Sequence, residues 1–470
     1  MGKTRLFFRR GFAIRRPVKY STRHTIRKFH KEKDFIMSGK KLTVTGTGDS
    51  LFVVPFPPSY DPMLAKIAGF IGSCDVRLTN LETNLSDFEF CGNAYSGGTW
   101  LNTRRKYLDD LTRFGFNFYG NANNHAMDYG HPGLLSTIGE LDARKLAHAG
   151  TGRSLEEAAA PAVLSLRGHR IAVFAVDASM ADPSRAGRAT HDLPARPGVN
   201  YLRHKTSYRV TEEELSALRS IASKIRINFQ REMQIATGYQ TPDPEGVFHF
   251  GELEFTTDSG VADTRCHAGD KKRLLDAVRE AKKSCSLVFM LVHCHDDDGI
   301  CHGNPPSYYR EFAHDCIESG VSAIFGGGCH SLRGIEIYRG APIFYSLGDF
   351  IYQGPQVEIL PADFMEKYGI DIFSSAKDAL WTRSRGGKVG LHCEKCNYQT
   401  VLPKLEFTDG VMTGFKLLPV HLNFERQDDL KGLPVPAEGD EAQVICRILD
   451  ELSAQFGTRL KLENGFIVRT

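Results

Sequence analysis

From Lys41 onward, short apolar runs alternate with longer stretches of helical spacing, and each run stops at a polar cluster. Leu42-Thr43-Val44-Thr45 leads to Gly48-Asp49. Val76-Arg77-Leu78 leads to Asn80-Leu81-Glu82, and Phe116-Asn117-Phe118-Tyr119 leads to Asn121-Ala122-Asn123-Asn124-His125. Ile171 to Val176 and Leu287 to Val292 are uninterrupted, the second running into His293-Cys294-His295. Val321 to Phe325 meets a glycine run, and Pro342-Ile343-Phe344-Tyr345 meets Ser346-Leu347-Gly348-Asp349. Continuous apolar strands suit a sheet covered on both faces, and their alternation with helices predicts an α/β fold. Polar side chains at strand ends stand where such sheets bind ligands.

Residues 196–265 break the rhythm. Thr211 and Glu214 form a capping box ahead of a helical stripe at Leu215, Leu218, Ala222 and Ile225, and Gln240–Pro244 reads as loop. This segment is expected to be a helical insertion able to form a lid over the site. Thr400–Phe407 and Thr413–Leu417 read as antiparallel strands, and Glu441–Phe456 as a closing amphipathic helix, so residues 426–470 form a helical extension.

Composition narrows the class. Hydrophobic residues make up 41% and charged residues 24%, the balance of a soluble enzyme. No uncharged apolar run reaches the roughly 18 residues of a membrane span. Eleven cysteines, an odd and scattered set, read as reduced thiols of a cytoplasmic protein. Cys393 and Cys396 form one Cys-x-x-Cys pair: half a zinc site, a redox pair, or, as we favour, unremarkable thiols. The net charge of +3 hides an asymmetry, because residues 1–41 hold 14 Lys/Arg against Glu32 and Asp34. That basic arm reads first as a disordered tail or as an over-long start before Met37; an organelle transit peptide or polyanion-binding tail are alternatives. No nucleic-acid module accompanies it, so nucleic acid is not expected as a partner.

The candidate chemistry lies in Asp49, Glu82, Asn124, His125, His293, His295 and His330. Oxygen and nitrogen donors at successive strand ends suit one or two borderline divalent cations such as Mn, Fe, Co or Zn. These residues resemble a known family. Gly48-Asp49, Asn80-Leu81-Glu82, Ala122-Asn123-Asn124-His125 with Asp128 and Gly130, Gly150-Thr151-Gly152-Arg153, and Leu332–Glu336 followed by Tyr345–Phe350 look like the CapA family of capsule and poly-γ-glutamate biosynthesis. That family is placed in the calcineurin-like metallophosphoesterase superfamily. The resemblance runs from about residue 42 to 425 and implies a four-layer, two-sheet α/β sandwich with the 196–265 insertion and a C-terminal antiparallel extension. It implies Asp49, Glu82, Asn124, His293 and His330 as metal ligands, with Glu82 bridging, and His125 as a proton-transfer group; His295 and Asp296, in the local His-Cys-His-Asp run, are our further candidates for proton transfer. Thr99, in the family-like Ser96–Trp100 loop, and Arg153 and Arg333 beside the site are the expected substrate contacts.

Three departures from the superfamily pattern bear on the site. Leu51 occupies a histidine position, Gly327 stands where many relatives have another histidine, and Asp296-Asp297-Asp298 adds a local acidic run. That run could supply replacement ligands or a base, and Asp297 and Asp298 could equally be a solvated loop. The expected activity is metal-dependent hydrolysis of a peptide-like or poly-γ-glutamyl substrate. The alternatives are α-carbon epimerisation of a peptide, as in ribosomal-peptide biosynthesis, and a non-catalytic subunit of polymer synthesis or export.

Overall fold

A computed structural model describes residues 41–257 and 262–470; the basic arm lies outside them. Two sheets dominate. The larger runs, from edge to edge, through Leu460–Glu463, Phe466–Arg469, Val411–His421, Gln399–Thr408, Lys41–Leu51, Val76–Leu81, Phe118–Gly120 and His148–Ala149; Asp349–Tyr352 also pairs with Lys41–Leu51. The smaller has six strands, with His169–Asp177, Leu287–Cys294 and Ala323–Gly328 parallel at its centre.

The uninterrupted apolar strands are explained by burial on both faces. Ile171, Val173 and Ala175 point into one core together with Leu287, Phe289 and Leu291. The intervening Ala172, Phe174, Val176, Val288, Met290 and Val292 point into another. The first core lies between the sheets, since Val44, Leu78 and Phe118 of the larger sheet share it. The second lies under the helices Ala268–Lys282 and Ser307–Ser319, through Leu274, Val278, Phe312 and Cys316. A third covers the outer face of the larger sheet with Leu64, Ile67 and Ile71 of the helix Asp61–Gly72. The period of two in side-chain direction thus builds helix, sheet, sheet and helix layers. A buried side chain of this size contributes about 1.5–3 kcal/mol, so the strands bind both ways with similar strength.

Other regions match the pattern with differences. The strands Gln399–Thr408 and Val411–His421 pair antiparallel, and the closing helix spans Gly439–Ala454. The C-terminal extension is not helical throughout, however: Leu460–Glu463 and Phe466–Arg469 form a hairpin that joins the larger sheet. Within the insertion, the capping box of Thr211 and Glu214 opens the helix Glu212–Ile225. The rest of the segment, expected to be helical, forms instead a four-stranded sheet of short, mixed runs without a clear period, with one further helix, Phe229–Ala236. In the helix, Leu215 and Ala222 are buried while Ile225 faces solvent.

Candidate metal centre

Register brings the polar strand ends into one row. Asp49 pairs with Asn80 on one side and Asp349 on the other, in the larger sheet. His293 pairs with Asp177 and with Gly327 in the smaller. Because all these strands are parallel at this point, their ends leave the sheets on the same side. The turns that follow add Glu82, Asn124, His125, His295 and His330.

The close approach of the two sheets explains the glycines. Gly327 passes so near Asp49 that a Cβ on it would meet the carboxylate at 2.5 Å, and the Gly328 N–H donates to Asp49 Oδ2. No histidine side chain fits at 327. Gly48 is required as well, since its Cβ would overlap the Gly348 carbonyl.

Two groups of side chains are each compact enough to hold a divalent cation: Asp49, Glu82 and His293, and Glu82, His295 and His330. In each, the ligand atoms lie within 4.8 Å of one another. Glu82 belongs to both. Both of its carboxylate oxygens are buried without a hydrogen-bond donor, an arrangement that costs several kcal/mol for an isolated ion unless a cation answers it. Burial, then the negative charges of Asp49, Asp349, Asp128 and Asp177, push the Glu82 carboxyl well above the usual carboxylate range. Carboxylate oxygen with imidazole nitrogen is a donor set suited to a cation of the Mn–Zn series, and the residues present fit such an ion.

The remaining geometry orients these groups. His293 Nε2 lies 3.5 Å from Glu82 Oε1 and 2.8 Å from Asn124 Oδ1, and its Nδ1 lies 3.4 Å from Asp49 Oδ1. Asn80 Nδ2 donates to Asp49 Oδ1 at 2.6 Å. Burial opposes ionisation of Asp49, but His293 and the Asn80 and Gly328 donors outweigh it and hold the carboxyl below its ordinary range. His330 adopts a left-handed backbone (φ 59°), and its Nδ1 pairs with Asp349 at 3.0 Å. That carboxylate overcomes the effect of burial and raises the imidazole's pKa. His295 Nε2 approaches His293 Nε2 at 3.1 Å; burial, then the neighbouring imidazoles, push its pKa well below normal. Neutral imidazole is the form that offers a lone pair to a metal.

His125 sits beside the row. Its Nδ1 is 2.7 Å from Asp128 Oδ2 and its Nε2 is 3.9 Å from Glu82 Oε1. Asp128 also accepts from the backbone N–H groups of Gly97 and Leu101, at 2.9 and 2.8 Å, so one buried carboxylate orients the imidazole and ties down the Ser96–Trp100 loop.

The other expected residues lie further out. Asp296 accepts from Tyr308 Oη at 2.7 Å and faces His204 of the insertion at 3.7 Å. Asp297 and Asp298 cap the backbone of their own turn through Gly299, Ile300 and Cys301. Thr99 accepts from Arg383 at 2.8 Å. Arg153 is exposed and pairs with Glu157 at 2.5 Å and Asp142 at 3.5 Å. Arg333, expected at a substrate, is fully buried instead. Its guanidinium donates to the carbonyls of Cys294, His295 and His302, because a buried fork of donors must find acceptors. All eleven cysteines are free thiols.

Sequence reasoning passed over two carboxylates. Asp349 partners His330, and Asp177 ends the Ile171–Val176 run just as Asp49 ends its own strand. An acid at the terminus of an apolar strand was the available signal. Asp177 Oδ2 is buried without a partner, and burial raises its pKa to about 6.

Comparison with known proteins identifies the family. Residues 24–354 match the family described as "Bacterial capsule synthesis protein PGA_cap". The uncharacterized protein y4sH of Sinorhizobium fredii is 30% identical over 438 residues, 90% of this chain and 91% of the relative. The PGA biosynthesis protein CapA of Bacillus subtilis is 25% identical over 256 residues, 54% of this chain and 47% of that protein. A probable polyglutamine synthesis accessory protein of Mycobacterium tuberculosis is 25% identical over 285 residues, 60% of this chain and 57% of its own length. With its strand-end motifs inside the matched region and a full-length relative at this identity, the chain belongs to the bacterial capsule synthesis protein PGA_cap family.

Proposed function

We propose that the protein is a metal-dependent hydrolase acting on a peptide-like or poly-γ-glutamyl substrate, built on a metallophosphoesterase-type sandwich. One observation carries this reading: Glu82, shared by two ligand groups, is buried with both oxygens unanswered. A bridging position between two cations is the chemistry that answers both. Asp49 and His293 would hold one ion, His295 and His330 the other, with the Asn124 amide oxygen beside His293. Once bound, the cations would supply Lewis acidity to the substrate and to water.

The chain's own groups supply the rest. Asp128 holds His125 by Nδ1, which leaves Nε2 directed at the centre to exchange a proton with the leaving group. Asp349 fixes His330 in the same manner, as a carboxylate behind a ligating imidazole does. Arg333 holds the carbonyl side of the His293–His295 strand end, so His295 keeps its place. The names of two relatives, a PGA biosynthesis protein and a probable polyglutamine synthesis accessory protein, support the choice of a peptide-like polymer as substrate class.

Elemental analysis of tag-free protein is the test: one or two equivalents of a transition metal, lost in Asp49→Ala and His330→Ala. Metal-free wild-type protein, even after reconstitution with Mn, Co or Zn, would overturn the reading in favour of a non-catalytic subunit. That second reading has one observation behind it, the word "accessory" in the name of the mycobacterial relative. Incubation of metal-loaded enzyme with a γ-glutamyl oligomer in heavy water separates hydrolysis, which shortens the chain, from epimerisation, which puts deuterium on the α-carbon.

A further inference from the structure

Beside the strand-end cluster lies a cleft of about 940 Å³, walled by the end of the Asp349–Tyr352 strand, the helix Ala376–Arg383 and the loop after Val411–His421. Its volume is that of a ligand site. Two contacts join it to the candidate centre. Tyr352 lines the cleft, and its ring stands 6.1 Å from the ring of His330. On the other side, Arg383 donates to Thr99 in the loop that Asp128 organises.

The walls combine cations with aromatic rings. Several exposed cations elsewhere are answered by carboxylates: Arg105 by Asp87, Arg144 by Glu140, Arg459 by Asp450. In the cleft, Lys377, Arg383 and Lys431 have no carboxylate within ion-pairing distance among the described residues. Lys431 instead rests its ammonium over the rings of Tyr398 and Phe424, 5.2 and 4.9 Å from their centroids. Trp381 projects into the same space and is 62% exposed. Two acids also line the walls: Asp378, which accepts from the Ser375 hydroxyl at 2.7 Å, and the exposed Glu425. Free cations spaced among aromatic faces suit a chain that alternates carboxylates with methylene groups. The carboxylates meet the cations, and the methylenes lie on the rings.

We propose that this cleft holds an extended polycarboxylate chain, with Lys377, Arg383 and Lys431 as carboxylate contacts and Trp381 as a platform, and that the chain reaches the metal centre past Tyr352. The proposal rests on the hydrolase reading only for what happens at that end.

The experiment is fluorescence anisotropy of a labelled γ-glutamyl decamer with the full-length, Mn-loaded protein at low salt, against a neutral γ-glutaminyl decamer. Charge reversal in Lys377→Glu/Lys431→Glu is expected to weaken binding about tenfold or more, and Trp381→Ala about threefold, with bound metal unchanged. If the double variant does not fold, Lys377→Ala and Lys431→Ala, each at an exposed or half-buried position, are expected to cost about threefold apiece. Equal affinity in all variants, equal binding of the neutral decamer, or no binding by wild type would overturn the proposal. Asp49→Ala separates the two readings. A metal-free variant that still binds the decamer leaves the cleft standing without the hydrolase. Cleavage of the decamer that no cleft variant alters leaves the hydrolase standing without the cleft.

Discussion

At the strand ends, both carboxylate oxygens of Glu82 and Oδ2 of Asp177 are buried without a hydrogen-bond partner, and Asn121 leaves both ends of its amide unpaired. In the insertion the charges are partly exposed and neutralise one another: Lys205 with Glu254, Arg209 with Asp263, Arg231 with Asp243. Both regions are polar, yet they spend polarity differently. Exposed pairs contribute at most about 1 kcal/mol each and could be exchanged for others with little effect. A buried, unanswered carboxylate lowers the stability of the metal-free fold, and a bound cation would offset that cost. The contrast separates a region whose charges are paired at the surface from one whose buried carboxylates are left unpaired.

Removing the shared carboxylate breaks that contrast most severely. Glu82→Ala should lower bound metal to background and turnover by at least about 100-fold. The metal-free variant should melt no lower than metal-free wild type, because a buried group without partners has gone; a lower melting temperature would show that Glu82 has partners after all. Next comes Arg333→Leu, which leaves the carbonyls of Cys294, His295 and His302 without their donor. A loss of about 4 kcal/mol in denaturant unfolding is expected, with weaker metal binding. Retention of wild-type stability would show that water replaces the guanidinium.

The pH dependence of the metal-free protein sharpens the comparison further. The Asp177 carboxyl has its pKa raised from 3.8 to about 6, so its contribution to stability is full below 3.8 and is lost as pH rises through about 6. In chelator, Asp177→Asn should equal wild type at low pH and exceed it near neutrality by about 3 kcal/mol at most. A constant difference across that window would remove Asp177 as the titrating group. The smallest effect belongs to the insertion. Thr211→Ala, which removes the cap of the helix Glu212–Ile225, should cost about 1 kcal/mol and leave metal content unchanged. A change in metal content there would tie the insertion to the centre more closely than the contact of His204 with Asp296 suggests.

Apolar runs ending in Gly48-Asp49, Leu81-Glu82 and Asn124-His125 located strands and donors together, and the capping box located a helix start. What local pattern determines is the alternation of strand and helix, the covered faces of each strand, and the kind of chemistry at its end, since these follow from side-chain period and donor type within a few residues. It could not say that Asp49, Asn80 and Asp349 share one row with His293, Asp177 and Gly327, because register between strands far apart in the chain is set by packing. Nor could it tell an arginine that meets solvent from one sealed under a loop. Arg153 and Arg333 look alike in sequence, and only the tertiary structure exposes the first and spends the second on backbone carbonyls. The same holds for Gly327, absent as a ligand because the Asp49 carboxylate already fills the space a side chain would need.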